Sequence, residues 1–156
     1  KSSTNLNIDV LIKKFEQIGI KKQIKFISRT EKFSDHLNNY NEIDIALDTF
    51  PYNGVTTTFE AIWKGVPVLT IEGYNFNSRC GSSIIKNLGI NYLVAKNEDD
   101  YISKAIYLSN NLDYLNEIRD NVFNDALNSS LFDTEKFVNE FENKINFLIK
   151  KELENN

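Results

Sequence analysis

The sequence has few of the residues that build disulfides and metal sites. Its 156 residues include one cysteine, Cys80, and one histidine, His36. A single cysteine excludes an internal disulfide and fits a reducing compartment, so we expect a cytoplasmic protein. Because no Cys-x-x-Cys or His-x-x-x-His pair is present, we expect neither a metal ion nor another cofactor.

Long apolar runs and an excess of positive charge are also missing. No apolar segment approaches the roughly 18 to 20 residues that cross a bilayer, so we expect no membrane span. The formal net charge is −4, which gives no electrostatic reason to expect nucleic acid as a partner. The hydrophobic fraction of 41% and the charged fraction of 26% are ordinary for a globular protein.

Methionine is absent, and only two prolines occur. Because the chain begins at "KSSTNLN" without an initiator methionine, we expect it to be the tail of a longer protein. No low-complexity tract or proline-rich linker divides it. We therefore interpret residues 1–156 as a single domain, which agrees with the usual domain size for this length.

Strand and helix patterns alternate along most of the chain. Short apolar runs predict four strands, at Gln23–Ser28, Ile43–Leu47, Val66–Ile71 and Tyr92–Ala95. Helical periodicity and stop signals predict helices at 7–19, 34–41, 56–65 and 78–89, followed by three consecutive helices at 97–110, 112–127 and 134–149. This order predicts an α/β fold, with a parallel sheet, flanking helices and a helical C-terminal block.

Several side chains are most simply interpreted as structural. Helical spacing of the aromatic residues indicates core positions, at Trp63, Phe137, Phe141 and Phe147. Cys80 is interpreted as a small buried residue, because no neighbouring cation marks a reactive thiolate. Ser34 is a plausible N-cap for the helix that contains His36.

The stretch "DTFPYNGVTTTFEAIWKG" places three threonines between a predicted strand and a predicted helix. The amides of Thr56, Thr57 and Thr58 would be the first N–H groups of that helix, which have no intrahelical acceptors. With the helix dipole and the hydroxyl groups, they would suit a diphosphate. Gly54 would allow close approach of the backbone, and Glu60 would be able to accept hydrogen bonds from ribose hydroxyls.

The same residues have a purely structural interpretation, which is the commoner one for such patterns. "TTFE" is a capping box, in which Thr57 caps the helix and Glu60 bonds back to the N-cap amide. Asn-Gly is a common turn. A lone histidine near a helix start, such as His36, is more often a surface or capping residue than a ligand contact.

The run "YNEIDIALDTFPYNGVTTTFEAIWKGVPVLTIEGYNFNSRCGSSIIKNLG" closely resembles the C-terminal catalytic region of the O-linked N-acetylglucosamine (O-GlcNAc) transferases, which include the SPINDLY-like protein glycosyltransferases. The similarity covers nearly everything from Ile24 to Phe147. It implies a Rossmann-like domain that forms the C-terminal half of a two-Rossmann-domain (GT-B) glycosyltransferase, with tetratricopeptide (TPR) repeats upstream. The implied reaction is inverting transfer of N-acetylglucosamine from UDP-GlcNAc to Ser/Thr hydroxyls of proteins. The protein acceptor would bind through missing N-terminal regions, so we expect the fragment to be inactive alone.

The resemblance also implies roles for individual residues. Thr56 and Thr57 match threonines that hold the UDP diphosphate, and Glu60 matches a carboxylate that holds the ribose. His36 matches a histidine that contacts the nucleotide sugar. The predicted nucleotide-sugar-binding residues are His36, Asn53, Gly54, Thr56, Thr57, Thr58 and Glu60. No side chain looks like a general base for the acceptor hydroxyl, so no catalytic residue is assigned.

The chain departs from the animal members of that family at several positions. Val55 replaces a histidine, and Phe33 and Asn39 stand where a lysine and an arginine are frequent. Arg79 matches a Ser-Arg pair of the family, and a salt bridge would explain it equally well. Two alternatives stay open: a related transferase that uses another nucleotide sugar, such as GDP-fucose, and a non-catalytic α/β interaction module.

Overall fold

The computed structural model describes residues 3–154, and the side chains of residues 8–154. The chain divides into two compact units, of which the first ends at Phe33 and the second begins at Ser34. The single-domain organisation over residues 1–156 stays a prediction.

The first unit consists of one helix and an irregular segment. Helix α1 spans Ser3–Gln17 and is followed by Gly19, whose φ of 79° is a left-handed conformation that favours glycine. A 3-10 turn at Lys21–Gln23 follows. The strand predicted at Gln23–Ser28 is wrong, because no strand of residues 3–154 pairs with this segment. Its residue pattern suits a strand, but a strand also needs a neighbouring backbone with which to exchange hydrogen bonds.

A three-stranded parallel sheet lies in the second unit. Its strands are β1 (Ala46–Leu47), β2 (Val68–Ile71) and β3 (Val94–Ala95), in the order β1-β2-β3. Ala46 pairs with Val68, and Thr70 pairs with Val94. Every residue of β2 is buried, as expected for the central strand of a covered sheet. The predicted α/β class with parallel strands is confirmed, although the strands are shorter and one fewer than predicted.

Helices make up most of the rest of the described chain. They are α2 (Phe33–Asn38), α3 (Thr56–Trp63), α4 (Cys80–Asn87), α5 (Glu98–Asn110), α6 (Leu112–Leu127) and α7 (Thr134–Glu154). Helices α4 and α5 pack on β2, and α6 packs on α3 and α5. The core is built from aliphatic residues of the sheet and the helices, including Ile62, Leu69, Ile85 and Val122. Ser34 does not cap α2, because the helix already begins at Phe33.

The interpretation of four aromatic residues as core is wrong. Phe137, Phe141 and Phe147 are 66%, 57% and 57% exposed, and no residue of α7 is buried. Trp63 is 47% exposed, although its ring contacts Phe123 edge-on at 5.2 Å between centroids. Helical spacing identifies an apolar face but does not show whether another element covers it. No helix between residues 3 and 154 is long and apolar enough to cross a bilayer.

Candidate functional site

The threonine stretch begins a helix at the carboxyl end of a parallel strand. Strand β1 ends at Leu47, and the loop of residues 48–55 leads directly to Thr56, the first residue of α3. The amide of Phe59 donates to the carbonyl of Val55 at 3.1 Å and closes the first helical turn. The preceding amides, of Thr56, Thr57 and Thr58, therefore have no acceptor inside the helix.

The capping-box interpretation of this helix start is wrong. The N-cap residue is Val55, which makes no side-chain capping bond, and Thr57 already lies inside the helix. The Glu60 carboxylate turns to His36 and Tyr40 instead of reaching back to the N-cap amide. The first turn of α3 is thus left without the side-chain acceptor that the sequence pattern predicts.

The three threonine side chains differ in their surroundings. Thr56 and Thr57 are exposed, whereas Thr58 is 3% exposed and its hydroxyl donates to the carbonyl of Gly54 at 2.9 Å. A Cβ atom at Gly54 would lie 2.3 Å from Oγ1 of Thr57, so a side chain at this position would displace that hydroxyl. The hydroxyls of Thr56 and Thr57 and the amides of all three threonines are therefore available at the helix start, while the Thr58 hydroxyl bonds to the preceding loop.

His36 and Glu60 meet beside the first turn of α3. Nε2 of His36 lies 2.9 Å from Oε2 of Glu60, and the hydroxyl of Tyr40 donates to the same oxygen at 3.1 Å. That hydroxyl also lies 3.3 Å from the carbonyl oxygen of Thr57. Burial and the bond to Glu60 raise the pKa of Tyr40 to about 12, so this phenol stays a neutral donor at physiological pH. The other oxygen of Glu60, Oε1, has no hydrogen-bond partner among the described residues.

Tyr40 was not predicted from the sequence as a site residue. It is 8% exposed and packs edge-on against the His36 ring, with 5.7 Å between centroids. Its position near His36 in the chain is the only sequence signal, because a lone tyrosine in a helical segment normally indicates packing.

The loop before α3 is held by its own side chains. The Nδ2 group of Asn53 donates to the carbonyl of Thr49 at 2.8 Å, and its backbone amide donates to the carbonyl of Asn77 at 3.1 Å. Asn53 is 2% exposed, and its Oδ1 atom is buried without a hydrogen-bond partner in the part of the chain that the structure describes. The structure thus places the predicted Asn53 within the loop and the predicted Gly54 at its junction with α3.

Asp48 is a second residue that the sequence did not mark as functional. Its Oδ1 atom accepts the Gly54 amide at 2.8 Å, and its Oδ2 atom accepts the Thr70 hydroxyl at 2.8 Å. Burial raises the pKa of the Asp48 carboxyl above its usual range, while these hydrogen bonds act in the opposite direction. Its carbonyl oxygen accepts the hydroxyl of Tyr101 at 2.9 Å.

Two clefts flank the start of α3. A cleft of about 170 Å³ has Tyr40, Asp48, Gly54 and Thr57 in its lining. A larger one, of about 630 Å³, is lined by residues of α4, the preceding loop and the start of α3, including Val55, Glu72, Arg79, Cys80 and Lys86.

The second cleft contains two of the residues that the sequence singled out. Arg79 lies 3.6 Å from the carboxylate of Glu72, which also pairs with Lys86 at 2.6 Å. Cys80 is half-buried rather than fully buried, and its thiol donates to the carbonyl of Phe76. Between residues 3 and 154, no group of three or more His, Cys, Asp or Glu side chains is arranged to hold a metal ion.

Comparison with known proteins gives consistent matches. The profile of glycosyl transferase family 41 matches residues 7–141. A Solanum lycopersicum SPINDLY protein, described as a probable UDP-N-acetylglucosamine–peptide N-acetylglucosaminyltransferase, is 37% identical over 128 residues, which are 81% of this chain and 14% of that protein. The Caenorhabditis elegans UDP-N-acetylglucosamine–peptide N-acetylglucosaminyltransferase is 31% identical over 117 residues, which are 75% and 10% of the respective chains.

A solved structure matches as well. A point mutant of the Thermobaculum terrenum O-GlcNAc transferase superposes with a TM-score of 0.80 and 34% sequence identity. The matched region covers 88% of this chain and 26% of the other. The chain therefore spans only a small part of the length of the relatives that it matches.

Proposed function

Because the chain belongs to glycosyl transferase family 41, we propose that it is the nucleotide-sugar-binding part of a protein O-GlcNAc transferase. The proposed reaction is inverting transfer of N-acetylglucosamine from UDP-GlcNAc to Ser/Thr hydroxyls of proteins. The names of the plant and animal relatives support this donor and a peptide acceptor. The acceptor would be bound by a further Rossmann-like half and repeat region outside this chain.

The observation that carries the proposal is the start of α3. Three consecutive threonine amides without intrahelical acceptors lie at the carboxyl end of β1, where ligands bind in open parallel sheets. Such amides and the positive end of the helix dipole bind phosphate without a cationic side chain or a metal ion. The exposed hydroxyls of Thr56 and Thr57 add donors to the same surface.

This arrangement suits the chemistry of sugar transfer. When the bond between the sugar and UDP breaks, negative charge develops on the departing diphosphate. Fixed amide dipoles that already point at this position lower the barrier, because they need no reorganisation during the reaction. No residue of this chain is assigned as the base that deprotonates the acceptor.

His36 and Glu60 would bind the nucleoside side of the donor. The Oε1 atom of Glu60 would accept a ribose hydroxyl, while Oε2 stays bonded to His36 and Tyr40. A protonated His36 would place positive charge beside the phosphates. We therefore expect His36→Gln, which removes that charge, to weaken UDP binding.

Calorimetric titration with UDP and GDP tests the proposal. We expect the 156-residue chain to bind UDP in a one-to-one complex and to bind GDP more weakly. GDP binding that is equal or tighter would contradict the assignment of a uridine donor. If neither nucleotide binds at millimolar concentration, the proposed function of this chain is wrong.

A further inference from the structure

Asp48 connects four elements of the second unit through three separate acceptor atoms. Its Oδ2 atom accepts the hydroxyl of Thr70 in β2, and its Oδ1 atom accepts the amide of Gly54 just before α3, both at 2.8 Å. Its carbonyl oxygen accepts the hydroxyl of Tyr101 in α5 at 2.9 Å. A residue at the end of β1 is thus bonded to the neighbouring strand, to a flanking helix and to the loop that leads into α3.

Helix α4 leaves room for this carboxylate. A Cβ atom at Gly81 would lie 2.3 Å from Oδ2 of Asp48 and 2.5 Å from Oγ1 of Thr70. These distances are far below normal van der Waals contact, so any side chain at this position would displace the carboxylate or the hydroxyl. Glycine inside a helix costs about 0.5–1 kcal/mol relative to alanine, which indicates that the space has a structural use.

The hydrogen bond that Asp48 accepts from Gly54 lies directly before the start of α3. The amide of Gly54 donates to Asp48, and the carbonyl of the same residue accepts the hydroxyl of Thr58. Gly54 is therefore held on one side by the end of β1 and on the other by the first turn of α3. Loss of the hydrogen bond between the Gly54 amide and Asp48 would allow Gly54 to move, and with it the orientation of the Thr56 and Thr57 amides would change.

We propose that Asp48 is a positioning residue for the diphosphate site: its carboxylate fixes Gly54 so that the open amides of α3 face the ligand. This inference rests on the proposed function, because it concerns the binding of UDP. Asp48 itself accepts no proton and contacts no reacting atom in the proposal.

Substitutions of Asp48 can distinguish an effect of its hydrogen bond to Gly54 from an effect of its negative charge. Asp48 lines the same cleft as Thr57, so its negative charge repels a bound phosphate. If charge were its only effect, neutral variants would bind UDP more tightly. Positioning predicts the opposite for alanine, which cannot accept the Gly54 amide. Asparagine retains one acceptor oxygen and should restore most of the binding.

The test compares UDP affinities of the wild-type chain and three variants. We expect Asp48→Ala to weaken binding about tenfold, because a hydrogen bond to a charged group is lost and the loop relaxes. Asp48→Asn should remain within about threefold of the wild type. The matched control is Asp44→Ala, which removes a carboxylate that is 82% exposed and lies just before β1, and it should leave affinity unchanged. In nucleotide-free NMR spectra, the Gly54 amide proton should shift upfield in Asp48→Ala and largely return in Asp48→Asn.

The outcomes separate this inference from the proposed function. If the wild-type chain does not bind UDP, both are overturned. If it binds UDP and folded Asp48→Ala binds equally well or more tightly, the positioning role alone is overturned.

Should Asp48→Ala fail to fold, Thr70→Val decides the question. Thr70→Val removes the second anchor of the carboxylate, so we expect it to weaken UDP binding about two- to fivefold and to shift the Gly54 amide. Wild-type affinity together with an unshifted Gly54 amide in Thr70→Val would overturn the inference.

Discussion

Replacement of single threonines by valine separates the ligand-binding and structural roles at the start of α3. Valine has the shape of threonine without the hydroxyl, and both are β-branched, so helix propensity hardly changes. The Thr56 hydroxyl is exposed and makes no hydrogen bond to a described residue. The Thr58 hydroxyl is buried and bonded to the carbonyl of Gly54. The same substitution should therefore have opposite consequences at two positions in one helical turn.

The expected magnitudes follow from these surroundings. Thr56→Val should change the free energy of unfolding by less than about 0.5 kcal/mol, as is usual for an exposed site. It should weaken UDP binding by about 1.5–3 kcal/mol, or roughly ten- to a hundredfold, because the hydroxyl that is lost donates to a charged phosphate. Thr58→Val removes the hydroxyl that donates to the half-buried carbonyl of Gly54 and should cost about 0.5–1.5 kcal/mol of stability. At this chain length each kcal/mol lowers the melting temperature by about 2–4 °C.

The assay is thermal unfolding and UDP calorimetry of both variants in one buffer. Thr56→Val should melt like the wild type and bind UDP poorly, and Thr58→Val should melt early. If Thr56→Val lowers the melting temperature and leaves UDP affinity intact, the threonines only begin a helix. That result would refute the phosphate-binding interpretation.

Three further variants test other parts of the structure. Tyr40→Phe removes a donor to Glu60, so we expect stability to fall by about 0.5–1.5 kcal/mol and UDP binding to weaken severalfold; unchanged UDP affinity would exclude Tyr40 from the site. The hydrogen bond from Lys86 lowers the pKa of Glu72 in the folded protein. The pair therefore stabilises the fold at any pH above the pKa that Glu72 has in the unfolded chain. This stabilisation is lost as the pH falls through the lowered pKa of the folded state. Glu72→Gln should remove about 0.2–1 kcal/mol of this acid-sensitive stability in pH-dependent urea unfolding, and an identical pH profile would contradict the pair's contribution. Gly81→Ala should destabilise α4 by about 1–3 kcal/mol, although this change normally stabilises a helix by about 1 kcal/mol; a raised melting temperature would show that the close contact is absent.

Local patterns in the sequence predicted the elements that depend on local interactions. Helix α6 has the bounds that its periodicity predicts, and β2 is the buried apolar run after Gly65. The resemblance to O-GlcNAc transferases is confirmed by the family profile and by the solved relative. These features were predictable because hydrophobic period, glycine stops and a specific motif are all contained in short segments.

The failures arose where distant residues decide the structure. Glu60 does not form the predicted capping box, because its carboxylate bonds to His36 and Tyr40. These two residues lie 24 and 20 positions earlier in the chain. The carboxylate of Asp48 is anchored by Thr70, which lies 22 residues away. No local pattern identifies these partners, since they lie on separate elements that only the tertiary fold brings together.

The central claim is that UDP binds at the start of α3, and mapping of backbone amide shifts by NMR tests it most directly. As UDP is added to the 156-residue chain, the amides of Gly54 to Thr58 should shift first and most strongly, with the His36 ring following the same saturation curve. Residues of α6 and α7 should not respond. Saturable shifts confined to those C-terminal helices, with Gly54 to Thr58 unmoved, would contradict the account.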